Sequence, residues 1–136
     1  MLKPNSVKIA VGTVLVAVGA MQAQESKVTQ GKYLVERVAM CADCHSARNE
    51  KGEFIQARWL QGSKLDFAPT HPMPAWADYA PGIAGLPGFT EAQAIRFLET
   101  GMAPNGGTAR PPMPPYKLNR ADAEAVVAYL KSLGKK

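Results

Sequence analysis

The chain's only two cysteines lie in one pentapeptide, Cys41-Ala-Asp-Cys44-His45. C-x-x-C-H is the attachment spacing of c-type haem. Two thiols one helical turn apart can each reach a vinyl group of the porphyrin and form a thioether. The adjacent imidazole then falls under the iron as an axial ligand. Other chemistries fit these residues less well. A dithiol redox pair belongs at a strand-to-helix junction within a βαβ unit, and no strand alternation surrounds this motif. A plain disulfide leaves His45 without a role. A zinc site needs four ligands, and His71 is the only further histidine.

A haem held by His45 needs a sixth ligand from elsewhere. The candidates are Met73, Met102, Met113 and His71; Met40 adjoins the attachment motif, and Met1 and Met21 lie in the N-terminal segment. Met113 is the first choice. It sits in Arg110-Pro-Pro-Met-Pro-Pro-Tyr116, where prolines on both sides stiffen the loop and fix the thioether. Met73 has the same proline flanks and is the main competitor. Met is otherwise a common gap-filler in cores. A haem also brings propionates, and a buried carboxylate without partners is costly. Trp59, Trp76, Arg58 and Arg110 are the candidate donors, with Trp76 preferred. Arg48, Lys51, Arg110 and Lys117 lie near the two motifs in sequence and could form a basic rim; an ordinary solvated surface is the rival reading.

The elements that must position these groups are helical. Gly31, Leu34, Val35 and Val38 recur at i, i+3, i+4, i+7, which predicts a helix from about Lys27 to Met40. Glycine on that apolar stripe costs about 1 kcal/mol against alanine, and close approach of another helix would compensate. A second helix is predicted over Glu91–Thr100. Thr90 and Gln93 form a capping box, Phe89 can close over Ala94 as a staple, and Gly101 is a C-terminal stop. The last helix follows Asn119, a good N-cap, and runs from Arg120 to Leu133. Its stripe is Val126, Tyr129, Leu130 and Leu133. Residues 101–115 hold three Gly and five Pro, and residues 68–88 hold five Pro, so both are loops. Phe54 to Phe67 shows no clear period and reads as loop with one short helix or hairpin. The tripeptide Pro-Met-Pro occurs twice, at 72–74 and 112–114.

The N-terminus is of another kind. Lys3 and Lys8 make a basic start, Ile9 to Ala20 is an uncharged apolar run, and small residues follow at Ala20 and Ala23. This is the layout of a secretory signal peptide over residues 1–23, cleaved after Ala20 or Ala23. The run is shorter than the roughly 20 residues that span a bilayer; an uncleaved anchor is the rival. Residues 24–136 then form a single domain with a periplasmic location. Of the net charge of +5 in the 136-residue chain, Lys3 and Lys8 carry part and the remainder is mild and interspersed, so no nucleic-acid partner is expected. Membrane contact would come only through a partner or an uncleaved signal.

With Gly31-Lys-Tyr-Leu-Val35 ahead of the motif, Pro-Met-Pro-Pro-Tyr at 112–116 and Ala-Val-Val-Ala-Tyr-Leu-Lys-Ser-Leu at 125–133, the chain resembles a small soluble monohaem cytochrome c with His/Met ligation. In more detail it is similar to cytochrome c subunits of bacterial periplasmic dehydrogenases. The resemblance implies an all-α fold of three to five helices and Pro/Gly-rich loops wrapped around one covalent haem c. It implies thioethers from Cys41 and Cys44, axial ligation by His45 and Met113, and terminal helices that cross at Gly31 beside Tyr129. One departure stands out. Such cytochromes usually have a proline about ten residues after the histidine, whose carbonyl orients the imidazole, whereas residues 46–68 here contain none.

The function expected is electron transfer between exported redox proteins such as a dehydrogenase, an oxidase or another cytochrome. The chain itself is not expected to be an enzyme: no Ser-His-Asp set, phosphate loop or paired-carboxylate motif is present. The alternative is a haem peroxidase or small-gas-binding protein with a labile sixth ligand.

Overall fold

The computed structural model describes residues 8–134, with side chains from Met21 onward. The basic start at Lys3 lies outside the described residues. Four α-helices follow in chain order: α1 (Lys8–Tyr33), α2 (Ala42–His45), α3 (Glu91–Thr100) and α4 (Arg120–Ser132). A π-helical turn (Leu34–Val38) joins α1 to α2, and a 3-10 turn (Gln56–Arg58) precedes two strands, β1 (Gly62–Lys64) and β2 (Tyr79–Pro81).

The strands correct the all-α expectation. They pair antiparallel, with Gly62 opposite Pro81, Ser63 opposite Ala80 and Lys64 opposite Tyr79. Gly-Ser-Lys and Tyr-Ala-Pro carry little strand propensity, so the ladder forms because the surrounding loops bring two backbones together.

The first helix also differs from expectation. The periodicity predicts a start near Lys27, but α1 is continuous from Lys8 through Ala20 and Ala23. Nothing in that stretch breaks a helix: it has no proline and no polar capping cluster. Residues 21–27 are exposed on every side, and packing begins at Val28 and Gly31. No helix among the described residues is long and apolar enough to cross a membrane.

α1 meets α4 at Gly31. A β-carbon built there would lie 1.9 Å from the Ala125 carbonyl oxygen and 2.8 Å from Tyr129 Cβ. The helix backbones touch, so only glycine fits. Lys27 to Glu124 at 2.9 Å and Gln30 to Asp122 at 2.7 Å flank the crossing. These contacts are exposed and add little; the apolar contact carries the energy.

The caps of the later helices are those the sequence indicates. The Thr90 hydroxyl accepts from the Gln93 N–H, the Gln93 side chain accepts from the Thr90 N–H, and Gly101 ends α3 with φ +75°. Asn119 accepts from the Asp122 N–H at 2.9 Å. Phe89 packs on Phe97, with ring centroids 5.8 Å apart.

α4 buries more than the single predicted stripe. Val126, Tyr129 and Leu130 join Val35, Ala42 and Leu60 in one cluster. Ala123 and Val127 face Ala94 and Ile95 of α3 in a second. Each Val or Leu fully buried contributes about 1.5–3 kcal/mol, and α4 supplies such residues to both clusters.

Candidate functional site

The Cys41–His45 motif is aimed by the turn before it. In the π-helical turn the Ala39 N–H donates to the Leu34 carbonyl at 2.8 Å, and the Cys41 N–H donates to the Val35 carbonyl at 3.0 Å. Met40 takes a left-handed φ of +47°, a conformation costing roughly 1–2 kcal/mol in a non-glycine residue. The widened turn ends the long helix and starts α2 in a new direction. α2 is one turn, closed by the His45 N–H on the Cys41 carbonyl at 2.9 Å. Cys41 and Cys44 are both half-buried.

Burial pushes the Cys41 thiol up to about 11, and it raises Cys44 as well, with Asp43 adding to the effect. A dithiol redox pair needs a thiolate and therefore a lowered pKa. These thiols are shifted the other way.

His45 is 7% exposed. Its Nδ1 lies 2.6 Å from the Pro81 carbonyl oxygen. A carbonyl can only accept, so Nδ1 carries the proton and Nε2 keeps its lone pair. Burial lowers the imidazole pKa, and the bond to Pro81 acts in the opposite direction. The result is a neutral ring held in one orientation with one nitrogen available to a metal.

Pro81 thus takes the place of the proline missing after the motif. The sequence carried no signal for it, because it lies 36 residues from His45 and arrives through the β1–β2 ladder. Glycines make the approach possible. A β-carbon on Gly62, at φ +95°, would meet Tyr79 Oη at 2.6 Å and the Gly82 nitrogen at 2.8 Å. Ser46, 1% exposed, is a second residue that sequence reasoning missed. Its Oγ accepts from the Leu60 N–H at 2.8 Å, and the Leu60 carbonyl accepts from the N–H groups of Ile83 and Ala84. The segment beside His45 is thereby tied to both loops that flank the ladder.

The Met113 loop returns to the motif at its far end. The Tyr116 hydroxyl donates to the Ala39 carbonyl at 3.2 Å. Burial raises the pKa of the Tyr116 phenol. Pro115 rests on the C-terminus of α3, where a β-carbon on Gly101 would be 3.2 Å from Pro115 Cβ. Met113 is half-buried, His71 is exposed, and Met73 and Met102 are 44% and 45% exposed.

The two tryptophans have separate fates. Trp59 packs edge-on to Phe54, centroids 5.3 Å apart, against the main cluster. Trp76 packs edge-on to Phe67 at 5.8 Å, and its Nε1 is buried with no hydrogen-bond partner. An unmet buried donor costs about 1–3 kcal/mol. Such a donor fits a cofactor that brings its own carboxylate. Arg110, the other expected donor, has two nitrogens committed to main chain: Nε to the Ala75 carbonyl at 3.0 Å and Nη2 to the Trp76 carbonyl at 2.6 Å.

The expected basic rim is largely engaged in internal contacts. Arg48 pairs with Asp43 of the motif at 2.9 Å, and its guanidinium lies 3.8 Å over the Phe54 ring. Lys117 donates to the Thr100 carbonyl at the end of α3 at 2.6 Å. Lys51 is exposed.

A C-x-x-C-H turn with its imidazole tautomer fixed, under crossed terminal helices, defines a c-type cytochrome domain. The chain belongs to the cytochrome c family, which it matches over residues 28–134. Among curated proteins it is similar to one of the subunits of the nicotinate dehydrogenase of Pseudomonas putida, 33% identical over 113 residues, covering 76% of this chain and 9% of that protein. It is similar to a diheme c-type cytochrome of Cereibacter sphaeroides, 29% identical over 108 residues, covering 75% and 34%. A third is the cytochrome subunit of the fructose dehydrogenase of Gluconobacter japonicus, 27% identical over 114 residues, covering 76% and 21%. The chain therefore spans about a third or less of each relative's length. Family membership implies covalent haem c and a role in electron transfer.

Proposed function

We propose that this chain carries electrons on a single haem c, attached through Cys41 and Cys44 and ligated by His45 and Met113, between exported redox proteins. The observation that carries this reading is the His45–Pro81 hydrogen bond. It fixes the tautomer, turns Nε2 into a ligand and raises its basicity, which is what the partner of a metal-bound imidazole does.

When bound, haem c supplies a one-electron iron couple, and a methionine ligand raises its potential. The chain's own residues do the rest. Cys41 and Cys44 form the two thioethers. Pro81 holds the His45 proton at Nδ1. The prolines around Met113 would limit the positions of its thioether. Trp76 offers its buried N–H to a propionate. Tyr116 closes the Met113 loop over the motif through Ala39.

The partner class proposed is a dehydrogenase, because two of the relatives are named as dehydrogenase subunits. Export is proposed through a signal over residues 1–23. The all-round exposure of residues 21–27 supports it, since a peptidase acting after Ala20 or Ala23 meets no packed neighbour there.

The test is purification from the periplasm. Haem staining on a denaturing gel should show covalent attachment. The oxidised protein should show the weak charge-transfer band at the red end of the spectrum that marks a methionine–iron bond. Absence of haem stain overturns the reading. Stain without that band, together with tight cyanide binding, favours the open-site alternative. Elution alone or with a larger enzyme separates a free shuttle from a docked subunit.

A further inference from the structure

Residues 111–115 are Pro-Pro-Met-Pro-Pro. Proline has no N–H, so Met113 owns the only backbone donor in those five residues. A segment this poor in donors cannot stitch itself to its neighbours; it must be held by donors from outside or through its carbonyls. The structure shows where they come from. The Met113 N–H donates to the Arg110 carbonyl at 3.1 Å. The Pro111 carbonyl accepts from the Ala77 N–H at 2.7 Å. The Arg110 guanidinium reaches across to the Ala75 and Trp76 carbonyls at 3.0 and 2.6 Å. The facing segment is closed in turn by the Trp76 N–H on the Met73 carbonyl at 2.9 Å. The chain just after the first Pro-Met-Pro and the start of the second Pro-rich loop are therefore joined along one seam at residues 75–77 and 110–111; Arg110 crosses it with its side chain, while its own carbonyl closes the turn onto Met113.

We infer that Arg110 is a positioning residue for the axial methionine: its forked guanidinium clamps the Trp76 segment to the Met113 loop and so keeps Met113 in place. This deepens the proposed function and rests on Met113 being the sixth ligand. It differs from a role as an electrostatic partner of the haem. The fork requires two parallel donors in a planar group, which arginine has and lysine lacks. A purely electrostatic role needs only the positive charge.

The two roles are separable with Arg110→Lys and Arg110→Gln, measured as holoprotein of equal haem content well below their melting temperatures. Imidazole is titrated into the oxidised protein and the methionine–iron band is followed. An added ligand binds iron only when Met113 has left, so its apparent affinity reports the fraction of open loop. If the clamp holds the loop shut, both variants should bind imidazole about tenfold more tightly than wild type, equivalent to about 1.4 kcal/mol of loop opening. Met113→Ala should bind more tightly still and is the upper limit.

If Arg110→Lys binds imidazole as wild type does, and only Arg110→Gln shifts the reduction potential, charge alone is the role and the clamp is refuted. If both variants match wild type in imidazole affinity, the clamp is refuted outright. Failure of the underlying ligand assignment looks different, because wild type would then lack the methionine–iron band before any substitution. A variant too unstable to hold haem is replaced by the milder Arg110→Lys alone, whose retained charge makes imidazole affinity the deciding readout.

Discussion

Placing a side chain at Gly31 is the sharpest test of how this fold is held together. The β-carbon of Gly31→Ala would stand 1.9 Å from the Ala125 oxygen, 2.5 Å from the Ala125 carbonyl carbon and 2.8 Å from Tyr129 Cβ, where ordinary contact begins at 3.4 Å. Two of those atoms are backbone, so no rotamer change relieves the clash. The helices must move apart by about 1.5 Å, in an interior where one methylene of extra volume is felt. Overpacking costs about 1–3 kcal/mol and occasionally more, while alanine's better helix propensity returns about 1 kcal/mol. A net loss of up to about 2 kcal/mol is expected for alanine, and a larger one for Gly31→Val, whose branched side chain adds bulk. For a domain of this size each kcal/mol moves the melting midpoint by about 3–5 °C, so Gly31→Ala should melt up to several degrees lower. Circular dichroism on the holoprotein measures it, with the exposed neighbour Thr29→Ala as control. A midpoint unchanged by Gly31→Val would refute the contact between α1 and α4 as the source of stability.

Met113→Ala should abolish the methionine–iron band, lower the potential and admit cyanide, whereas Met73→Ala should leave all three near wild type; a larger spectral change from Met73→Ala overturns the assignment. Tyr129 donates to Glu36, and burial, reinforced by Glu36, raises its hydroxyl to about 12. The folded state thus holds this proton more tightly than the unfolded chain, with its ordinary value of about 10. Its contribution should be full below pH 10 and fade between 10 and 12, and Tyr129→Phe should flatten that fall in thermal midpoint; parallel curves would exclude the bond as the cause. Trp76→Phe keeps the ring edge on Phe67 but removes the N–H. It should raise the pKa of the carboxylate that the indole serves, read as an upward shift in the pH at which the reduction potential changes; superposable curves count against Trp76.

What could be read from the chain was whatever is written in local spacing. The Cys41–His45 motif, the caps at Thr90, Asn119 and Gly101, and the stripe on α4 all depend on residues within about one or two turns of one another. Gly31 was legible for a related reason: glycine on an apolar stripe has a propensity cost that only a close neighbour offsets. The partner of His45 was not legible, because Pro81 reaches it on a ladder of Gly-Ser-Lys and Tyr-Ala-Pro that no strand pattern announces. The second face of α4 escaped for a different reason. Ala123 and Val127 lie outside the stripe that a single partner requires, and only the presence of α3 makes them core. Arg110 was legible as a donor but not as a brace, since its acceptors are main-chain carbonyls 34 and 35 residues away.

The two buried clusters meet in α4, and Leu86, Leu98 and Leu118 lie against both. Of the helix only Arg120, Ala121, Lys131 and Ser132, at its two ends, are exposed: α1 covers one side, α3 another, and the Gly85 N–H reaches the Leu130 carbonyl near its end at 2.8 Å. Separate clusters would let the molecule open piece by piece, with one half exchanging its amide protons while the other stays closed. A shared wall removes that freedom. Opening either side strips α4 of half its cover, so the amides of Ala123–Leu130 should exchange only when the whole domain opens. Their exchange rates should converge on one value, the free energy of global unfolding. The protein then has a single cooperative unit between its terminal helices, and a lesion in any one of the three contacting elements is felt by the other two.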